Sequence, residues 1–381
     1  MTHKADNSFF DVKREWSIRK DRILGGYLRP YLPKVATQGK PICIIDGFAG
    51  PGKFRDGNPG SPLIIYSAIK KFGRDAKAVF IEANEDLAAD LNAITAELPY
   101  TKSIHAEFGD CVERVEAIAQ THTVFLYLDP YTVEGIEWES LDRIFRFLDR
   151  RVSIELLLNF NASSFVRRGL AALKYVVPDP DPASESMGDI DAPILTSPTV
   201  EALDRVVGGN WWATSIENCP DFAAQVASVV EGFCDRLRQR FAEVCFHDIL
   251  AEPHHKIPKY TLVFASRHCH ALKLMNDEVV KSTQVLAEKA APITPVLFEM
   301  RSEDLVPSKA DIPDLVMQEA RGRRPRGDVI VSVMRARFGA FTETEIRRCI
   351  TDLIKAKQLQ SATGRPRIPD TELIWKSQAS G

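Results

Sequence analysis

Pro41-Ile-Cys-Ile-Ile-Asp46-Gly-Phe-Ala-Gly50-Pro-Gly52 is an apolar run that ends in an acid and then in a glycine-rich turn. Strand, carboxylate and paired glycines together make the first ligand-binding loop of an α/β sheet, because a residue without Cβ lets backbone approach a bound molecule. A nucleotide phosphate loop, G-x-x-x-x-G-K-S/T, almost fits Gly47 to Phe54, but Phe54 lacks the hydroxyl that would ligate magnesium. No helix start follows the lysine, since Arg55-Asp-Gly-Asn-Pro-Gly60 has loop composition; Ser61-Pro62 reads as the N-cap and first residue of the next helix. A dinucleotide loop, G-x-G-x-x-G, fails at Arg55, where the third glycine should permit close packing of helix on strand.

The third alternative is the Asp-x-Phe-x-Gly-x-Gly form of class I S-adenosylmethionine-dependent methyltransferases. Asp46-Gly47-Phe48-Ala-Gly50-Pro-Gly52 resembles it at every specified position. That cofactor carries no phosphate and needs no lysine, hydroxyl or magnesium, and a carboxylate near its cationic end is electrostatically sensible. A second apolar run, Lys77 to Glu82, ends in an acid 36 positions after Asp46, where a carboxylate accepts both ribose hydroxyls in α/β nucleoside sites. A poorer strand, Ser103 to Asp110, carries a third acid, and Thr123 to Asp129-Pro130-Tyr131 a fourth. One such acid is ordinarily a helix cap or a solvated turn. Four on one edge of a parallel sheet make a site. Asp110 resembles the acid that meets the adenine amino group. Asp129-Pro130-Tyr131 resembles, with one proline fewer, the Asp/Asn-Pro-Pro-Tyr/Phe motif of amino-methyltransferases. There the acid and the proline carbonyl accept hydrogen bonds from a target amine, and the aromatic ring stacks on an extruded base.

The whole pattern resembles the three-Cys-motif partner proteins, a bacterial family with a methyltransferase-like domain. The likeness runs through Glu15-Trp16-Ser17-Ile-Arg-Lys20-Asp-Arg-Ile-Leu24-Gly-Gly-Tyr27-Leu28, the glycine loop, Phe80-Ile-Glu82 and Tyr127-Leu-Asp129-Pro-Tyr131. It continues through Leu156-Leu-Leu-Asn159-Phe160 and Tyr260 to His268, covering about residues 10–280. The resemblance implies an S-adenosylmethionine-binding domain and a protein partner that looks like a radical-type iron–sulfur enzyme. Methyl transfer to a nitrogen of a nucleic-acid base is the expected activity. The alternative is a non-catalytic cofactor-binding or docking subunit of the partner enzyme. Asp46, Gly47, Phe48, Gly50 and Gly52 are expected at the methionine end, Glu82 at the ribose, Asp110 at the adenine, and Asp129, Pro130 and Tyr131 at the acceptor.

Composition is that of an ordinary globular chain of 381 residues, 45% hydrophobic and 27% charged. The cysteines, at 43, 111, 219, 234, 245, 269 and 349, are odd in number and form no C-x-x-C pair, which points to a reducing compartment. No signal-like or membrane-length apolar run is present, so the cytoplasm is expected and a membrane is not. His254-His255 and His268-Cys-His270 invite a metal, but neighbouring residues on a strand point to opposite faces, and no second cluster has zinc-like spacing. No metal is expected.

Periodicity supplies the architecture. Ile23, Leu24, Tyr27, Leu28 and Tyr31 mark an amphipathic helix that stops near Pro30 to Pro33 and covers a sheet edge. Alternating strand and helix to Phe160 predict a Rossmann-like parallel sheet of the class I methyltransferase kind. Residues 161–240 read as an insertion capping the carboxyl edge, with a loop at Val177–Ala183, the aromatic pair Trp211-Trp212, and Arg167-Arg168 as a solvated pair or a phosphate contact. The expected domains are an N-terminal helical segment (1–40), the α/β domain (41–280), a linker (281–326) and a basic winged-helix-like domain (327–381). From Arg321 onward, 13 Lys/Arg stand against 6 Asp/Glu, a net of +7 in a chain whose total is −3. Thr342-Glu-Thr-Glu345 is a capping box there, and Gln358–Gln360 with Leu373–Trp375 fit a wing, a surface that commonly meets nucleic acid.

Overall fold

The computed structural model describes residues 10–73, 75–146, 148, 152–175, 199–250, 255, 257–290 and 307–377. The loop expected at Val177–Ala183, His254 and residues 291–306 of the expected linker lie outside them. Two compact units divide the chain, up to His268 and from Cys269 onward, so the helix that begins at Cys269 belongs to the C-terminal unit.

The first unit begins with α1 (Glu15–Ala36) and continues β1 (Ile42–Asp46), α2 (Ser61–Phe72), β2 (Ala76–Glu82), α3 (Glu85–Thr95), β3 (Thr101–His105), α4 (Val112–Thr121), β4 (Thr123–Leu128), α5 (Trp138–Phe145) and β5 (Ile154–Phe160). Four helices follow, α6 (Ala162–Ala172), α7 (Val200–Val207), α8 (Trp211–Glu217) and α9 (Phe222–Arg238), then β6 (Glu243–Ile249) and β7 (Tyr260–Ser266). The sheet order is β3-β2-β1-β4-β5-β7-β6, with β7 antiparallel to both of its neighbours. That order, reversing direction between β1 and β4, is the Rossmann-like class I methyltransferase sheet. It opens a crevice beyond the carboxyl ends of the strands at the switch point. Register brings the strand tips level: Asp46 pairs with Phe80 on one side and Tyr127 on the other.

Both faces are covered, so β1, β4 and β5 are buried along their length. One face packs Cys43, Ile45, Leu126, Leu156 and Leu158 against α4, α5, α6 and α9. The other carries Phe125, Tyr127, Glu155 and Phe264 toward α1. Tyr27 lies 5.4 Å from the Phe125 ring and 5.5 Å from Phe264, and its hydroxyl donates to Glu155. This burial explains why α1 does not stop at Pro30–Pro33 as its composition predicts. Each proline forfeits one helical hydrogen bond, but Tyr27, Leu28, Tyr31 and Leu32, all essentially inaccessible, hold the helix on the sheet through Ala36. The described part of the 161–240 stretch packs onto the sheet. Trp212 is fully buried, its indole N–H donating to Asp204 at 2.7 Å, and Leu203, Val207 and Phe233 join the same core. The described helices flank the sheet, and among the described residues of this stretch Asn161 and Arg168 line the crevice.

The second unit contains α10 (Cys269–Ala290), α11 (Ile312–Glu319), β8 (Arg324–Pro325), α12 (Arg326–Ala336), α13 (Glu343–Lys355), β9 (Leu359–Ser361) and β10 (Leu373–Lys376). Its small sheet has the order β8-β10-β9, one strand more than the expected two. Asp370 accepts from Arg326 and Arg347 and pairs with Lys273, which holds its carboxyl well below the usual range despite partial burial. Thr342 and Glu345 form the reciprocal capping box, with Thr342 N–H donating to Glu345 at 2.9 Å. Thr342→Ala is expected to cost about 1 kcal/mol and to speed amide exchange in α13 about fivefold. Unchanged exchange would assign the helix start to other contacts.

Candidate active site

A cleft of about 480 Å³ opens at the carboxyl edge, lined by the glycine loop, the tips of β2 and β4, and the start of α1. The loop is knitted to the strands beside it. Gly47 N–H donates to Tyr127 O at 2.9 Å, Ala49 N–H to Ile81 O at 2.9 Å, and Gly60 N–H to Gly52 O at 2.9 Å. Gly50 and Gly52 have φ of 61° and 80°, a left-handed conformation that L side chains seldom adopt. A Cβ on Gly47 would stand 2.5 Å from Leu128 Cδ2 and 2.8 Å from Phe108 Cδ2, so a side chain there would have to displace both. The loop reaches α2 only after Lys53–Gly60, whose ends bridge at Lys53 and Pro59, and Phe54 is buried. The helix terminus that a phosphate would need does not directly follow the glycines.

Glu82 stands at the tip of β2 and lines the cleft. One carboxylate oxygen accepts from Gly50 N–H and the other from Asn84 N–H, each at 2.8 Å. Asn84 in turn caps α3. Each oxygen keeps a further lone-pair direction for a ligand.

Two of the expected contacts are corrected. Asp46 is fully buried and absent from the cleft lining: as the last residue of β1 it accepts from Ser61 Oγ at 2.6 Å and Phe48 N–H at 3.2 Å. Burial pushes its carboxyl up to about 7, with those two hydrogen bonds opposing. It shapes the loop and anchors the start of α2, where Gly60 rather than Ser61 occupies the N-cap position. Asp110 sits exposed in a 3-10 turn, Gly109–Cys111, outside the lining. β3 ends at His105, so Glu107 and Phe108 are the residues that come off the strand into the cleft. Phe108 and Phe48 lie 5.9 Å apart, and with Leu87 they give this end apolar walls.

Asp129, Pro130 and Tyr131 also line the cleft, and Tyr131 is half exposed. Asp129 is not an open acceptor. Lys20 of α1 donates to both of its oxygens, at 2.9 and 2.8 Å, Asn159 donates to Oδ1 at 2.6 Å, and Tyr127 OH donates to Oδ2 at 3.2 Å. The Lys20 side chain is 5% exposed and its ammonium lies 4.3 Å from the Tyr260 ring centre. The Lys20 end of this pair is buried while the Asp129 side chain is 26% exposed, so loss of Asp129 would leave the ammonium without a counter-charge. Beside it Asp21 pairs with Lys13, and burial pushes the Asp21 carboxyl up to about 6. Arg168, the second of the sequence-flagged arginines, pairs with Glu134 in the cleft, while Arg167 lies 5.4 Å from the Phe222 ring.

Lys20 is the residue that sequence reasoning missed. The signal was present: Trp16, Lys20, Ile23 and Tyr27 share one face of α1, and a lysine on an apolar stripe needs a buried partner. Among the described residues no group of three or more His, Cys, Asp or Glu could hold a metal ion, and no helix is long and apolar enough to cross a membrane.

No family model and no curated protein matches the chain. Solved structures do. The chain is similar to a SAM-dependent methyltransferase from Aquifex aeolicus (13% identity, 62% of this chain and 89% of that one, TM-score 0.27). It is similar to Aeropyrum pernix fibrillarin with natively bound S-adenosyl-L-methionine (11%, 60% and 66%, 0.26). A third likeness, to the citrinin polyketide synthase CMeT domain (13%, TM-score 0.32), spans 60% of this chain and 47% of that one. The fold itself is defined by the strand order.

Proposed function

We propose that the cleft binds S-adenosylmethionine and that the chain transfers its methyl group to an acceptor held beside Asp129, Pro130 and Tyr131. The observation that carries this reading is the position of Glu82, which grips the glycine-loop amide and faces the cleft. The residues fit the group: glycine backbone for its methionine end, the Glu82 carboxylate for two ribose hydroxyls, and Phe48, Leu87 and Phe108 for an adenine face. When bound, the cofactor would supply an electrophilic methyl group. Asp46, fully enclosed, would act on the cofactor through the loop it shapes.

Calorimetry of the purified chain with S-adenosylmethionine and S-adenosylhomocysteine tests the pocket, with Asp46→Ala as the loop-disrupting control. Micromolar binding that the substitution abolishes supports the assignment. No binding by the intact chain sinks it.

A second element of the reading concerns recruitment. The order of helices and strands from α11 to β10 supports a winged-helix assignment for the C-terminal unit. Arg323, Arg365, Arg367 and Lys376 are exposed there, and Arg323 lies over the Trp375 ring at 4.4 Å. We propose that this unit docks nucleic acid. Replacing Arg365 and Arg367 together by Ala is expected to lower the slope of log affinity against log salt by about 2, measured on duplex DNA and RNA. An unchanged slope would redirect the basic face to a protein, in line with a role as partner subunit of an iron–sulfur enzyme. The base nitrogen that the Asp-Pro-Tyr pattern implies as acceptor requires Lys20 to withdraw from Asp129 first.

A further inference from the structure

We infer that the acceptor in this cleft is a carboxylate oxygen and that Lys20 is the positioning residue that excludes an amine; the inference rests on S-adenosylmethionine as methyl donor. An ionised carboxylate has about four lone-pair sites. Lys20, Asn159 and Tyr127 place four hydrogen-bond contacts on Asp129. While the pair stands a substrate N–H must compete with these donors for Asp129, and opening the pair leaves the buried Lys20 ammonium without its counter-charge.

Acceptors that must lose a proton meet a second obstacle. A hydroxyl or thiol needs a base, and three of the five acids that line the cleft already hold cations: Asp129 with Lys20, Asp21 with Lys13, and Glu134 with Arg168. A carboxylate needs none, being ionised at neutral pH and carrying its own electron pair. The acceptor oxygen forms the new O–CH3 bond, the methyl C–S bond breaks with its pair left on sulfur, and no proton moves. Anionic acceptor and cationic sulfonium become an ester and a thioether. Donors for the second acceptor oxygen are at hand. Arg168 and Lys259 line the cleft and carry cationic N–H groups of the kind that a second acceptor oxygen would meet.

The test incubates the full chain with methyl-labelled S-adenosylmethionine and total extract of the expression host. Products are split into label released as methanol by mild alkali, label in nucleic acid, and alkali-stable label elsewhere. Alkali-labile label at least tenfold above the protein-free control is expected. Lys20→Met should move label into the alkali-stable fraction, because the variant reopens Asp129 to amines; a merely structural lysine would lower all fractions alike and overturn its assigned role. Label confined to nucleic acid or to alkali-stable product overturns the carboxylate. So does its absence from a chain that binds the cofactor, since carboxylates abound in any extract. A readout without turnover tests the pair. Lys20→Met should lower the melting temperature, and adding Asp129→Asn should restore most of the loss. No drop in the single variant removes the premise. Failure of the cofactor reading shows separately, as absence of calorimetric binding.

Discussion

Glu82→Ala is expected to weaken S-adenosylmethionine binding at least 100-fold while leaving the chain folded. Two charge-assisted hydrogen bonds to ribose hydroxyls are worth about 1.5–3 kcal/mol each, so their joint loss exceeds the 2.8 kcal/mol that roughly corresponds to a factor of 100. The same substitution frees the Gly50 and Asn84 amides, and so loosens the loop that the ligand contacts. Glu82→Gln keeps one carbonyl acceptor and an N–H donor in place of the charge, and is expected to lose about tenfold. Calorimetry of both variants, with circular dichroism to verify folding, separates the contributions. An Ala variant that binds within threefold of the parent would remove Glu82 from the cofactor site.

The second large effect belongs to a carboxylate far from the cleft opening. Glu155 is buried between α1 and the sheet, accepting from Tyr27 OH and from Ser266 Oγ. Burial pushes its carboxyl up from 4.5 to about 7, with the two hydroxyl donors opposing. The folded chain therefore holds a proton there that the unfolded chain releases between pH 4.5 and 7. Stability must fall as pH rises through that window and level off above it, by roughly 3 kcal/mol for this one group. Glu155→Gln removes the titration and keeps an acceptor for Tyr27. The variant should match the parent near pH 4 and exceed it at pH 8, by about 2–4 °C of melting temperature for each kcal/mol. A melting difference that does not change with pH would show that burial does not raise the Glu155 carboxyl above its unfolded value. Asp46, also raised to about 7, contributes to the parent's own slope, so the difference between variant and parent is the quantity to read.

Much of the α/β unit is legible because its strands are buried on both faces and end in acids. Continuous apolar runs marked β1, β2, β4 and β5, and the spacing of the acids predicted one carboxyl edge. What a linear pattern does not encode is rotation about a strand end. Asp46 and Glu82 look equivalent in sequence, yet one turns into the sheet face beneath α2 and the other into the cleft. The same ambiguity displaced Asp110 in favour of Glu107. Lys20 was hidden for another reason: its partner lies 109 residues away, and only packing of α1 on the sheet brings the two together. Pro30 and Pro33 misled because local helix propensity was weighed without the aromatic contacts that outweigh it.

The placement of α1 bears on the order in which the chain acquires its shape. α1 precedes every strand, yet Tyr27 rests on Phe125 and Phe264, and Arg19 donates to Leu250 O across 231 positions. During synthesis the helix leaves the ribosome long before the antiparallel strand that completes its seat. Such distant contacts are slow to close, so the seat of α1 is complete only once Tyr260–Ser266 has joined the sheet. A nascent chain that ends before Tyr260 would own a complete glycine loop and an unfinished seat for α1. The last part of the unit to be made thus decides when the first part can dock.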